Sequence, residues 1–261
     1  MASQDITLAD PVAEEKSKSI YDTCWYCRKV VGKAKVKRCA NCRMVWYCSK
    51  DCQRKAWPTH KPRCMTGSNL WEQLANDPDG DDKAALHKDL TKWVATWRDV
   101  ISTYAIHALD IANHGRQRIN THTILIELES RRNRSTRADM FRIVKASLLS
   151  QQEFTDWINS ADILPEDLAR VRENRGADTV QIALTCDGQA LRFLWFQLRD
   201  NGESCERDKR EFSAFMAKAW PMLLEAVINS GDPDMEMSEA LAALTDEQNA
   251  MIMDMMAEHM L

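Results

Sequence analysis

Apolar residues recur at three- and four-residue intervals between Ala84 and Asn113, at Leu86, Leu90, Trp93, Val94, Trp97, Val100, Ile101, Tyr104 and Ala108, with no Gly or Pro among them. That period predicts one long amphipathic helix, closed by Asn113-His114-Gly115. Beyond Gly115 the pattern changes. Thr121–Leu128 and Met140–Leu149 are rich in Ile, Val and Phe and flank the run Arg131, Arg132, Arg134, Arg137, which predicts a hairpin with a solvated basic loop. Thr179–Cys186 and Ala190–Leu198 flank Asp187-Gly188-Gln189 and predict a second hairpin, although Leu191–Leu198 also fits a helix. Helical patterns occur at Gln151–Asn159, Pro165–Arg175, Asp208–Asn229 and Thr245–Met260. Residues 84–261 are therefore expected to form an α+β domain with a long helix and two antiparallel hairpins, large enough for one core.

Upstream the pattern is weaker. Residues 1–22 read as a disordered, mildly acidic leader. Residues 65–83 contain Thr-Gly-Ser-Asn and Asn-Asp-Pro-Asp-Gly-Asp-Asp, turn formers that predict a linker and a domain boundary. At 44% hydrophobic and 28% charged residues, with 8 Gly and 7 Pro in 261, the chain is globular rather than low-complexity. No apolar stretch approaches the roughly 20 residues of a membrane span. The first twenty residues lack an apolar signal core, so the chain is expected inside the cell, in cytoplasm or nucleus, away from membranes.

Seven of the nine cysteines fall between Cys24 and Cys64. In a reducing compartment such clustering means metal rather than disulfides. In order, the candidate ligands are Cys24, Cys27, Cys39, Cys42, Cys48, Cys52, His60 and Cys64, enough for two tetrahedral Zn²⁺ sites. The x2 spacings of Cys24/Cys27 and Cys39/Cys42 suit knuckles. The x3 spacings of Cys48/Cys52 and His60/Cys64 suit one face of a helical turn. Sequential and interleaved pairing are both sterically workable. Forty-one residues bury too little apolar surface to fold alone, so zinc must supply on the order of 10 kcal/mol per site.

The ligand order, Trp46-Tyr47 before Cys48, and the segment from Cys52 to Cys64 together resemble the MYND-type zinc finger, with the rest of the chain laid out as in fungal proteins that join such a finger to an α+β region. The resemblance implies interleaved sites, Cys24, Cys27, Cys48 and Cys52 on one ion and Cys39, Cys42, His60 and Cys64 on the other. It also implies a protein-interaction adaptor, in a setting such as transcriptional regulation, that binds proline-rich segments at positions corresponding to Gln53 and Trp57. An indole suits proline rings, and an extended proline-rich peptide loses little entropy on docking. Trp57 could instead plug the finger's small core, and Ala40 stands where some relatives carry a polar contact.

Other chemistries are less well supported. The window from Cys24 to Cys64 holds twelve Lys or Arg against Asp51, leaving a strongly acidic remainder in a chain of net charge −4. That basic window invites nucleic acid, but seven thiolates around two Zn²⁺ offset part of its charge. Lys33–Arg38 resembles a basic import signal lying inside the zinc scaffold. Some MYND proteins carry a methyltransferase SET domain, yet Asn113-His114-Gly115 lacks the serine and cysteine of that domain's cofactor segment. The glycines are too widely spaced for phosphate-binding loops. His107, Asp110 and His114 share a helical spacing that reads as a polar face rather than a metal site. Cys186 reads as a buried strand residue, and Cys205 has no nucleophile signature. Ile252, Met255, Met256 and His259 make a helix stripe expected to face the core. No enzyme is expected.

Overall fold

The predicted long helix forms, and its apolar stripe is the centre of the molecule. In this computed structural model, which describes residues 24–27, 29–32, 34–43, 45–131, 136–160, 179–187, 190–197 and 207–259, helix α2 runs over Gly80–Leu109. Leu90, Trp93, Trp97 and Ile101 on it are almost wholly buried. Both indoles solve their polar problem at one atom: the Nε1–H groups of Trp93 and Trp97 each donate to the Ala138 carbonyl at 3.1 Å. A buried N–H without a partner would cost about 1–3 kcal/mol, so the short 3-10 turn Ala138–Met140 is pinned to α2.

Strands β1 (Lys37–Arg38) and β2 (Trp46–Tyr47) form a small antiparallel ribbon. The larger sheet contains β3 (His122–Ser130), β4 (Phe141–Ser150), β5 (Thr179–Cys186) and β6 (Ala190–Gln197), ordered β4-β3-β5-β6. Both predicted hairpins are present, β3 with β4 and β5 with β6, each antiparallel. Parallel pairing of β3 with β5 joins them into one sheet. Leu191 and its neighbours are thus strand. Ile124, Ile126 and Leu128 of β3 and Ile182 and Leu184 of β5 face the core shared with α2 and with α6 (Arg207–Ser230). The opposite face holds Leu125 and Ala183 under Phe154 and Ile158 of α5 (Gln151–Ser160). Asn229 ties α6 to the edge strand β4, its Oδ1 accepting from the Ile143 N–H at 3.0 Å. Short helices α3 (Ile111–His114), α4 (Gln117–Thr121), α7 (Met237–Ala242) and the final α8 (Asp246–His259) complete the described residues.

Two expectations are corrected. The turn formers of 65–83 do not make a linker: α1 spans Lys50–Ala75 without a break at Gly67, and α2 starts at Gly80. Only Asn76–Asp79 turns, held by Asp77 N–H to the Leu74 carbonyl and Gly80 N–H to the Asp77 carbonyl. Lys83 closes it with an ion pair to Asp77 at 2.6 Å. The reason is packing, since Trp71 meets His87 of α2 edge to face at 6.5 Å and Leu74 is buried. On α8, Ile252 is buried as expected, but Met256 is exposed, as are Met251 and Met253. The predicted leader 1–22, helix Pro165–Arg175, Arg132, Arg134 and Cys205 lie outside the described residues.

Candidate metal centre

The eight ligands converge through three local devices. Antiparallel pairing of Lys37 with Tyr47 and Arg38 with Trp46 sets Cys39, just after β1, at one end of the ribbon, its N–H donating to the Val45 carbonyl at 2.8 Å, and Cys48, just after β2, at the other. The Trp25 N–H donates to the Trp46 carbonyl at 2.8 Å, laying the Cys24/Cys27 knuckle against the same strand. Ser49 then caps α1, its Oγ accepting from the Cys52 N–H at 3.1 Å. Helix α1 thereafter carries Cys52, His60 and Cys64. Cys48 precedes the cap and is not part of a helical turn, so only His60/Cys64 realises the helical spacing inferred for both pairs.

Cys24, Cys27, Cys48 and Cys52 form one cluster and Cys39, Cys42, His60 and Cys64 the other, with the donor atoms of each within 4.8 Å of one another. The pairing is interleaved. Within the first, Cys27 to Cys48 is 3.7 Å and Cys48 to Cys52 3.5 Å between sulfurs. In the second, Cys39 to Cys64 is 3.7 Å and Cys42 Sγ to His60 Nε2 3.6 Å. A tetrahedron with Zn–S near 2.3 Å and Zn–N near 2.0 Å has edges of about 3.5–3.8 Å. The donors fit structural zinc at both places, where the ion's role is to crosslink the chain.

Electrostatics points the same way. Burial works to raise the Cys24 thiol, but hydrogen bonds from the backbone of Cys27, Cys48 and Tyr26 outweigh it and bring its pKa down to about 6. Cys39 is lowered by the same contest, with Cys42 and Asn41 as backbone donors. Cys48, hydrogen-bonded to Cys52 and Cys24, is pushed up to about 12. Four sulfurs this close cannot all be anionic without a cation among them, and Zn²⁺ meets that need.

Several supporting residues carry no ligand signature. Asn41 Nδ2 donates to Cys64 Sγ at 3.4 Å, and Trp71 Nε1 to the Cys42 carbonyl at 3.1 Å. Asn41 is legible once its knuckle is recognised. Trp71, twenty-nine residues from its acceptor, leaves no local signal. Trp25, Tyr47 and His60 pack as a ring cluster with centroids 5.6–6.2 Å apart. Tyr47 and Ala56 fill the small core, so Trp57 is not its plug.

The two expected peptide contacts differ in setting. Gln53 is half-buried, with its amide donating to Cys39 Sγ at 3.8 Å. Trp57 is 42% exposed and leans an edge on His60 at 6.1 Å. The remaining candidates are structural. Helix α2 ends at Leu109, and Asp110 takes a left-handed conformation (φ 46°), so His107 is set on a different helix from His114, whose Nε2 lies 3.5 Å from Asp110 Oδ2. Asp110 also accepts from Ser213 Oγ at 2.6 Å and Asn113 Nδ2 at 2.8 Å, joining the end of α2 to α6. Cys186 is fully buried at the end of β5, its thiol held far above the ordinary range by burial and by Asp187. No helix among the described residues is long and apolar enough to cross a membrane.

Interleaved closed sites on this ribbon and helix define a class of zinc-stapled protein-interaction module, and residues 24–64 match the MYND finger family. Over 35 residues the chain is 62% identical to a SET and MYND domain-containing protein of Dictyostelium discoideum, covering 13% of this chain and 6% of that protein. It is 54% identical over 37 residues to the histone-lysine N-methyltransferase SMYD3 of Homo sapiens, 14% of this chain and 9% of that protein. A zinc finger MYND domain-containing protein 10 homolog of Drosophila melanogaster is 52% identical over 44 residues, 17% of this chain and 10% of that protein. The chain thus spans a tenth or less of these relatives. No solved structure matches it.

Proposed function

We propose that the chain is a non-catalytic adaptor whose finger docks a proline-rich segment of a partner protein against Trp57. The observation that carries the reading is an indole left 42% exposed on the helix that bears Cys52, His60 and Cys64. A rigid aromatic anchor loses little entropy when it is covered. Each zinc site has four protein ligands, so neither offers the open position that metal-assisted hydrolysis uses. Matches to proteins named for SET domains cover only short stretches of this chain, which lends the methyltransferase reading no support from residues 84–261.

The test is titration of the zinc-loaded full chain with a peptide carrying prolines around a central leucine. Binding in the micromolar to millimolar range is expected of so small a surface. Trp57→Ala should weaken it about thirtyfold, the 2 kcal/mol or more of an interface anchor, with zinc content unchanged. Retained binding in that variant refutes the docking site. Transfer of a labelled methyl group from S-adenosylmethionine to a protein substrate refutes the non-catalytic reading. Imaging of the tagged chain tests the nuclear setting that transcriptional regulation requires.

A further inference from the structure

The outer face of α1 carries a pattern that zinc binding does not use. At 100° per residue, Lys50, Arg54, Trp57, Lys61 and Met65 fall within an arc of about 80°, and all five are exposed. Two apolar side chains, Trp57 at 42% and Met65 at 46% exposure, are thus set along a row of cations. Between Cys52 and Trp71 there is no Asp or Glu at all. Arg54 has an ion pair to Asp51 at 3.1 Å, but both side chains are about three-quarters exposed, and such pairs hold their partners weakly. The row is bounded: Glu72 follows Met65 by two turns, and Asp77, Asp79, Asp81 and Asp82 crowd the α1–α2 turn.

We propose that this stripe is a docking track for a short acidic peptide, one with an apolar residue over Trp57 and carboxylates reaching the cations on either side. The inference rests on the peptide-docking reading above and adds the charge of the partner. Lys50 to Met65 spans about 22 Å along the helix, which an extended peptide of about seven residues covers at roughly 3.1–3.3 Å each. Charge complementarity selects the acidic segment. The acidic turn at the track's far end, together with the acidic remainder of the chain, repels a polyanion that runs past it, so the stripe suits a short peptide better than nucleic acid.

The experiment uses the zinc-loaded full chain and two labelled heptapeptides, Pro-Leu-Pro flanked on each side by two Asp or Glu residues, and the same core flanked by Gln. At 50 mM salt the acidic peptide should bind at least tenfold tighter by fluorescence anisotropy, and the gap should narrow at 500 mM. The double variant Lys50→Gln, Lys61→Gln should bring the acidic peptide down to the level of the neutral one with zinc content intact, and Trp57→Ala should weaken both. Equal affinity for the two peptides overturns the charge inference while leaving the docking reading standing. Binding of neither peptide overturns both, and a single-stranded oligonucleotide that alone binds, with a steep salt dependence, assigns the stripe to phosphate instead.

Discussion

Gly80→Ala is the sharpest test of how the finger joins the rest of the molecule. At the first turn of an ordinary helix, replacing Gly by Ala gains about 0.5–1 kcal/mol, because the unfolded chain loses freedom and the helix gains a better former. Here the added Cβ would sit 1.7 Å from the Leu74 carbonyl oxygen and 2.8 Å from its carbon. Those are backbone atoms at the end of α1, so relief requires the two helices to move apart by more than an ångström. The move breaks the turn's bonds from Asp77 to Leu74 and from Gly80 to Asp77, about 1 kcal/mol each, and loosens the Trp71–His87 contact, about 0.5–1.5 kcal/mol. Net of the helix gain, the cost is about 2 kcal/mol, a fall in Tm of about 4–8 °C for a domain of this size. Calorimetry of zinc-loaded protein measures it, with hydrogen exchange across residues 70–90 to locate the loss. An unchanged or raised Tm would refute the rigid joint and restore the free linker expected from composition.

Three further outcomes are expected. Elemental analysis should find two zinc ions per chain, and Cys24→Ser and Cys39→Ser should each empty one site and weaken the other, since both ions staple the same short chain; one ion or none in reduced wild-type protein sinks the two-site assignment. His87, whose pKa burial and then Arg192 bring down to about 4, is held neutral in the fold, so the unfolded chain binds the extra proton between about pH 6.5 and 4. Its contribution is complete above that window and lost as pH falls through it, up to about 3 kcal/mol; the wild-type minus His87→Phe stability difference should follow that slope, and a flat difference contradicts it. Asn229→Ala leaves the Ile143 N–H at the sheet edge without its acceptor and should cost about 1–3 kcal/mol by denaturant titration, against a few tenths if water replaces the side chain freely.

What was legible in the sequence follows the range of each signal. The finger was legible because ligand spacing is local and chemically specific. The α2 stripe and both hairpins were legible because Trp93, Trp97 and Ile101 keep a helical period while Ile124 to Leu128 and Ile182 to Leu184 pack into strands. The parallel joining of β3 to β5 left no trace, since register between distant strands is set by the core they share. The helical spacing of His107, Asp110 and His114 misled as to a single helix because periodicity does not register a helix end, and Asp110 terminates α2 in the left-handed region where a short polar side chain is tolerated.

The misread boundary at residue 65 explains how α1 is built. Pro58 and Pro62 stand inside this helix, and an interior proline costs about 3 kcal/mol through a lost hydrogen bond and a clash one turn back. By propensity alone the segment should not be helical. His60 lies between the two prolines and Cys64 just after them, and both belong to one site, so the single ion that fixes them, at about 10 kcal/mol, offsets both breakers and holds the turns in line. Past Cys64 the helix contains no proline, and packing of Trp71 and Leu74 against α2 carries it to Ala75. Metal at one end and apolar contact at the other therefore make a single rod of what composition divides into finger and linker. A partner seated along Lys50 to Met65 lies on a helix whose far end is fixed to the α+β core, so docking at the finger is held in a defined orientation to that domain rather than tethered beside it.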